Sequence, residues 1–82
     1  MTSTTGRAVL VTGAARGIGA AVARAFAEQG DRVAVHVHTA VDEGGATRDA
    51  LPGTGHALVV ADLGDAEQAA SLPAAAEEAL GV

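Results

Sequence analysis

The chain has 82 residues and a formal net charge of −5, with five scattered arginines and one aromatic residue, so nucleic acid is not an expected partner. A chain of this length forms one domain at most. Hydrophobic residues make up 49% of it without any run near the roughly 20 residues that span a bilayer, and cysteine is absent, so we expect no membrane partner and a cytoplasmic location.

Three apolar runs predict three β-strands. They lie in RAVLVTG (7–13), RVAVHVH (32–38) and, for the third strand, within GHALVVADL (55–63). Each run is continuous rather than alternating, which is typical of strands in a parallel sheet covered by helices on both faces.

Three helices are predicted after these strands. Ile18, Val22 and Phe26 recur at every fourth residue and predict an apolar stripe that faces the core. The second helix is expected to end near Leu51, because a proline follows. Asp65 is the expected N-cap of the third helix. The order β-α-β-α-β-α with right-handed crossovers predicts an α/β fold with three parallel strands in the order 3-2-1.

A glycine-rich turn connects the first strand to the first helix. Gly13 allows a tight turn, Gly17 lets a pyrophosphate approach the backbone, and Gly19 allows the helix to pack close to the sheet. The turn is not a P-loop, since isoleucine occupies position 18 and the chain has no lysine. Its spacing also differs from the common GxGxxG pattern.

The segment TGAARGIG (12–19) resembles the TGxxxGxG fingerprint of the short-chain dehydrogenase/reductase family. The resemblance extends from Arg7 to Leu80 and includes ADL (61–63), where the family carries an aspartate after the third strand. Within the family the chain looks most like 3-oxoacyl-carrier-protein reductases. The resemblance implies a partial Rossmann fold, with residues 1–82 forming the N-terminal part of a dinucleotide-binding domain.

The resemblance also implies positions for the cofactor. The pyrophosphate and the adenosine ribose would be lined by Gly13, Gly17, Ile18 and Gly19. Asp62 would accept a hydrogen bond from the adenine amino group, and the Leu63 amide would meet the ring. The alternative for Asp62 is a loop aspartate that caps the following helix.

The sequence favours NADP over NAD. An NAD site usually has a carboxylate at the end of the second strand, but residues 36–40 contain none, and Asp31 lies at the opposite end of that strand. Arg16 stands directly before Gly17, where the family often places a basic residue in NADP users, and His38 or Thr39 could add a hydrogen bond. The alternative for Arg16 is a solvated loop arginine.

No catalytic residue is assigned in this chain. The family uses an NNAG segment, a serine and a YxxxK pair, whereas these 82 residues contain no asparagine, tyrosine or lysine. We therefore expect the cofactor-binding segment of an NADPH-dependent carbonyl reductase, an oxidoreductase whose parent is a homo-oligomer. The alternative is a truncated, non-catalytic module that pairs through its open sheet edge. His36 and His38 lack a third ligand, so no metal site is expected.

Overall fold

The computed structural model describes residues 7–81, so the first six residues and the last one lie outside it. Strands and helices alternate in the predicted order: β1 (Ala8–Val11), α1 (Gly17–Glu28), β2 (Arg32–Val37), α2 (Val41–Ala50), β3 (Ala57–Val60) and α3 (Ala66–Leu80). Within this part of the chain, no helix is both long and apolar enough to cross a bilayer.

The three strands form one parallel sheet with β2 in the centre, which confirms the predicted order. Val9 is paired with Val33 across β1 and β2, and Val35 is paired with Leu58 across β2 and β3. Because all three strands run in the same direction, their carboxyl ends meet at one edge of the sheet.

Helices cover both faces of the sheet, as predicted. The face under α1 and α2 holds one core, built from Val11, Ala14, Ala23, Ala27, Val33, Val35, Val37 and Leu51. The face under α3 holds the other, built from Ala34, Val59, Ala61, Leu72, Ala76 and Leu80. Residues 33 to 37 of β2 are all buried, as expected for the central strand of a sheet covered on both faces.

The predicted apolar stripe of α1 is wrong for two of its three residues. Ile18 is 84% exposed and Val22 is also exposed, while Phe26 packs partly against the core. The helix instead buries Ala23 and Ala27, which are four residues apart on one face. Small side chains on that face let the helix lie close to the sheet, and the larger aliphatic residues are left on the adjoining face.

The ends of α2 and α3 agree with the sequence. Leu51 is the C-cap of α2. The Asp65 carboxylate accepts hydrogen bonds from the amides of Glu67 and Gln68, at 2.9 and 3.1 Å, so Asp65 is the N-cap of α3. Such a cap stabilises a helix by about 1 kcal/mol.

Candidate functional site

The residues selected from the sequence lie at the carboxyl edge of the sheet. They follow the ends of three neighbouring strands: Gly13, Arg16, Gly17, Ile18 and Gly19 after β1, His38 and Thr39 after β2, and Asp62 and Leu63 after β3. In open parallel sheets this edge is where ligands bind.

The glycine turn has the geometry that its sequence predicts. Gly13 and Gly17 adopt positive φ angles of 59° and 64°, which side chains rarely allow, and a Cβ on either would meet no atom within 4 Å. A Cβ on Gly19 would instead collide with the carbonyl group of Gly13. The turn is therefore open on the side where a ligand could approach and closed where α1 meets it.

The first turn of α1 is available to an anion. Arg16 is the N-cap residue, but its side chain makes no capping hydrogen bond, and the first turn contains no acidic residue. The amides at a helix N-terminus carry partial positive charge and lack partners within the helix. Gly17, Ile18 and Gly19 present their amides at this position, so these residues fit a bound phosphate group.

His36 forms hydrogen bonds with the amino end of the glycine turn. Its ring Nδ1 accepts a hydrogen bond from the Gly13 amide at 3.1 Å, and its backbone carbonyl accepts one from the Ala14 amide at 3.0 Å. Its Nε2 lies 2.9 Å from the Ala61 carbonyl and must be the donor there. The buried ring is therefore in its neutral Nε2–H form, and both nitrogens have partners.

Thr47 attaches α2 to the same turn. Its hydroxyl donates a hydrogen bond of 2.6 Å to the carbonyl oxygen of Ala15. Neither Thr47 nor this role of His36 was predicted from the sequence. No periodicity connects them to the turn, since their partners lie 32 and 23 residues away along the chain.

Arg16 lies above the turn and reaches the first turn of α2. Its Nη1 is 2.9 Å from the Oε2 of Glu43, and its side chain is 74% exposed. An exposed pair of this kind contributes only about 0–1 kcal/mol, so another anion could replace the carboxylate. Arg16 also lines a cavity of about 220 Å³, together with Gly13, Ala15, Val37, His38, Thr39 and Ala40.

The residues after β2 and β3 approach each other. His38 Nε2 lies 3.8 Å from Asp62 Oδ2, and both side chains are partly exposed. The other Asp62 oxygen accepts a 2.8 Å hydrogen bond from the Gly64 amide, so Asp62 orders its own loop. The helix cap that was the alternative role of Asp62 is taken by Asp65. Leu63 is exposed beside it.

Asp31 lies at the other edge of the sheet, directly before β2. Its carboxylate is buried and accepts hydrogen bonds from Arg7 Nε at 3.1 Å and Arg7 Nη2 at 2.8 Å. These hydrogen bonds lower the pKa of Asp31 below its ordinary value, against the opposing effect of desolvation. Asp31 is therefore a structural residue, remote from the candidate site.

Comparisons with known proteins all identify dehydrogenases of one family. A profile described as short chain dehydrogenase matches residues 7–82. An L-rhamnose 1-dehydrogenase (NAD(P)(+)) from Azotobacter vinelandii is 44% identical over 81 residues, covering 92% of this chain and 31% of the relative.

Solved structures give the same result. A protein from Sinorhizobium meliloti described as a short-chain alcohol dehydrogenase superposes with a TM-score of 0.80 at 44% identity, over 96% of this chain and 32% of that one. The landomycin C-6 ketoreductase LanV, solved with bound NADP and rabelomycin, superposes with a TM-score of 0.71 at 35% identity, over 85% and 29%. The chain thus spans about a third of the length of these relatives.

Proposed function

This chain belongs to the short-chain dehydrogenase family, and on that premise we propose that it is the cofactor-binding part of an NADP-dependent oxidoreductase that reduces a carbonyl group to an alcohol. The main support is the glycine turn. Gly13 and Gly17 leave open space beside the backbone, and the first amides of α1 have no capping side chain and no partners within the helix. A dinucleotide pyrophosphate matches both the charge and the shape of that site.

The adenosine half of the cofactor is assigned to the ends of β2 and β3. In this proposal the Asp62 carboxylate accepts a hydrogen bond from the adenine amino group through Oδ2, since its Oδ1 is held by Gly64. The Leu63 amide meets the ring, and His38 and Thr39 line the ribose. The cavity between the glycine turn and residues 37–40 is the space available for that ribose.

The preference for NADP rests on charge. The end of β2 carries no carboxylate up to Ala40, and the nearby Glu43 is already paired with Arg16. The exposed Arg16 guanidinium can present several donors to a 2′-phosphate. The name of the Azotobacter relative allows either dinucleotide, and LanV holds NADP, so these relatives are compatible with the proposal.

The reaction itself is assigned to the whole enzyme. When bound, the reduced nicotinamide supplies the hydride for the carbonyl carbon. The role of these residues is to bind and orient the dinucleotide, since the chain has no tyrosine or lysine to protonate the product oxygen as the family does. The domain assignment for residues 1–82, a homo-oligomeric parent and a cytoplasmic location are part of this proposal. The resemblance to 3-oxoacyl-carrier-protein reductases stays a prediction.

Calorimetric titration tests the proposal. NADPH and NADH are compared, together with adenosine 2′,5′-bisphosphate and AMP, which carry the adenosine half alone. We expect NADPH to bind more tightly than NADH, and the bisphosphate more tightly than AMP, because only the first of each pair carries a 2′-phosphate. Equal binding within each pair would contradict the choice of NADP, and binding of none of the four would contradict the cofactor site. The alternative of a non-catalytic module is not favoured.

A further inference from the structure

We propose that His36 is a positioning residue for the dinucleotide, because its imidazole ties the glycine turn to the loop that carries Asp62. The inference rests on the proposed function of this site. It concerns a side chain that contacts no ligand in that proposal and acts through the backbone on both sides of the site.

The hydrogen bonds of His36 connect the carboxyl ends of all three strands. On one side the ring accepts from Gly13, the first glycine of the turn after β1. On the other it donates to Ala61, the residue directly before Asp62 and after β3. A rigid aromatic ring between these two points sets the distance between the proposed pyrophosphate site and the proposed adenine site.

The same hydrogen bonds also determine which backbone amides of the glycine turn remain available to a phosphate group. The Gly13 amide is directed inward to His36, so it is not available to a phosphate group. The Ala14 amide is bound to the His36 carbonyl. These two amides are therefore excluded as phosphate donors, and the proposal assigns that role to the first turn of α1, while His36 holds the opposite end of the glycine turn in place. Gly13 keeps its positive φ under this constraint.

His56 provides a matched comparison within the chain. Its Nδ1 accepts a 3.0 Å hydrogen bond from the Val33 amide, and its Nε2 donates a 2.7 Å hydrogen bond to the Pro52 carbonyl. The pattern of donor and acceptor is the same as that of His36. His56 precedes β3, however, and lies at the amino edge of the sheet, away from the proposed cofactor site.

Two substitutions separate the ring nitrogens. The side-chain oxygen of asparagine is as many bonds from Cβ as histidine Nδ1, and the side-chain nitrogen of glutamine is as many as Nε2. His36→Asn therefore keeps an acceptor at the Nδ1 position for Gly13 and loses the donor to Ala61, whereas His36→Gln keeps a donor at the Nε2 position for Ala61 and loses the acceptor at the Nδ1 position. Exchange of the Gly13 amide separates the two variants, because only His36→Gln loses the bond to that amide.

The test uses the full-length protein and two measurements. Titration with NADPH is expected to show a Kd about tenfold higher for His36→Gln, which loses the bond to Gly13, and for His36→Asn, which loses the bond to Ala61, since a lost hydrogen bond corresponds to about one decade in affinity. Amide hydrogen exchange without cofactor is expected to be faster at Gly13 in His36→Gln than in His36→Asn. His56→Gln and His56→Asn are the controls, expected to leave both NADPH affinity and Gly13 exchange unchanged.

Three results would contradict the positioning role of His36. Wild-type NADPH affinity in His36→Gln would overturn the positioning role, as would equal Gly13 exchange in the two His36 variants. Equal loss of affinity in the His56 and His36 variants would also overturn it, because the effect would then be general destabilisation. If the wild type binds no dinucleotide, the proposed function fails, and a positioning role for the dinucleotide fails with it, while the exchange data still show whether His36 holds Gly13.

Discussion

The guanidinium of Arg16, at the start of α1, is paired with the carboxylate of Glu43, in the first turn of α2, at 2.9 Å. The pair joins a residue selected from the sequence to one that was not. Its two members have opposite effects on an incoming phosphate, since Arg16 attracts it and Glu43 competes for the same donors.

Arg16→Ala is expected to weaken NADPH binding by about tenfold and to leave NADH nearly unchanged, because a charge-assisted hydrogen bond to the 2′-phosphate is worth about 1.5–3 kcal/mol before solvent screening. Paired titrations with the two dinucleotides measure the difference. An equal loss for both would show that Arg16 does not recognise the 2′-phosphate. Arg24→Ala is the control, since Arg24 is exposed later in the same helix and is paired with Glu28.

Glu43→Gln is expected to have the opposite effect. Without the carboxylate, Arg16 is free to turn to the phosphate and a negative charge beside Arg16 is removed, so NADPH should bind several-fold more tightly while NADH changes little. The same titrations measure it, with Asp49→Gln as a surface control. Weaker NADPH binding would mean that Glu43 orients Arg16 for the phosphate rather than competing with it.

Gly44 and Gly45 are neighbours in α2 and should respond to alanine in opposite directions. A Cβ on Gly44 would lie 2.5 Å from Val37 Cγ1 and 2.9 Å from Leu58 Cδ1, so Gly44→Ala should destabilise the fold by about 1–3 kcal/mol. A Cβ on Gly45 would meet nothing closer than Arg48 Nη2 at 3.9 Å, so Gly45→Ala should stabilise it by about 0.5–1 kcal/mol. Urea unfolding of both variants checks the signs, and a shift in the same direction would contradict the close packing of α2.

Asp31→Asn should make stability less dependent on pH in the acid range. The folded pKa of Asp31 is lowered by Arg7, so its contribution is complete above the unfolded value of about 3.9 and is lost as the pH falls through the folded value. Unfolding free energies from pH 7 to pH 2 should show the variant less stable at neutral pH, with the difference from the wild type narrowing as the pH falls below the unfolded pKa. Glu78→Gln, at an exposed position, is the control. A difference that does not narrow between pH 4 and pH 2 would mean that the charge of Asp31 is not responsible.

Thr47→Val removes one hydroxyl with little change of shape. The Ala15 carbonyl loses a 2.6 Å hydrogen bond, so the variant should be about 1 kcal/mol less stable, and Ala15 and Arg16 should become more mobile. Urea unfolding gives the first quantity and backbone ¹⁵N relaxation gives the second. Thr39→Val is the comparison for a threonine after β2. Unchanged dynamics at residues 15 and 16 would show that α2 does not restrain the turn.

The sequence predicted the order of elements, the strand order and the Asp65 cap because each depends on local patterns. Gly19 could also be predicted, since the collision that a side chain would make is with the turn six residues earlier. The buried face of α1 was predicted incorrectly because the larger apolar residues were expected to face the core. The helix lies close to the sheet, and the small side chains of Ala23 and Ala27 are buried there instead.

The residues that contact the glycine turn from other elements could not be predicted from local patterns. His36, Thr47 and Glu43 act on residues 23 to 32 positions away along the chain, and only the fold brings them to the turn. His36 and His38 are two residues apart, and this spacing indicates that their side chains lie on the same side of a strand. It does not indicate that one ring is buried with two partners while the other is exposed near Asp62.

The central position of β2 also has a consequence for how the chain folds. Every pairing in the sheet joins residues about two dozen positions apart, and all of them involve β2. No hairpin can form first, so a long loop must close before any strand gains a partner, and such non-local contacts slow folding. We expect Val33→Ala and Val35→Ala to slow refolding in a stopped-flow experiment. Alanine substitutions of buried side chains in α3 should mainly speed unfolding.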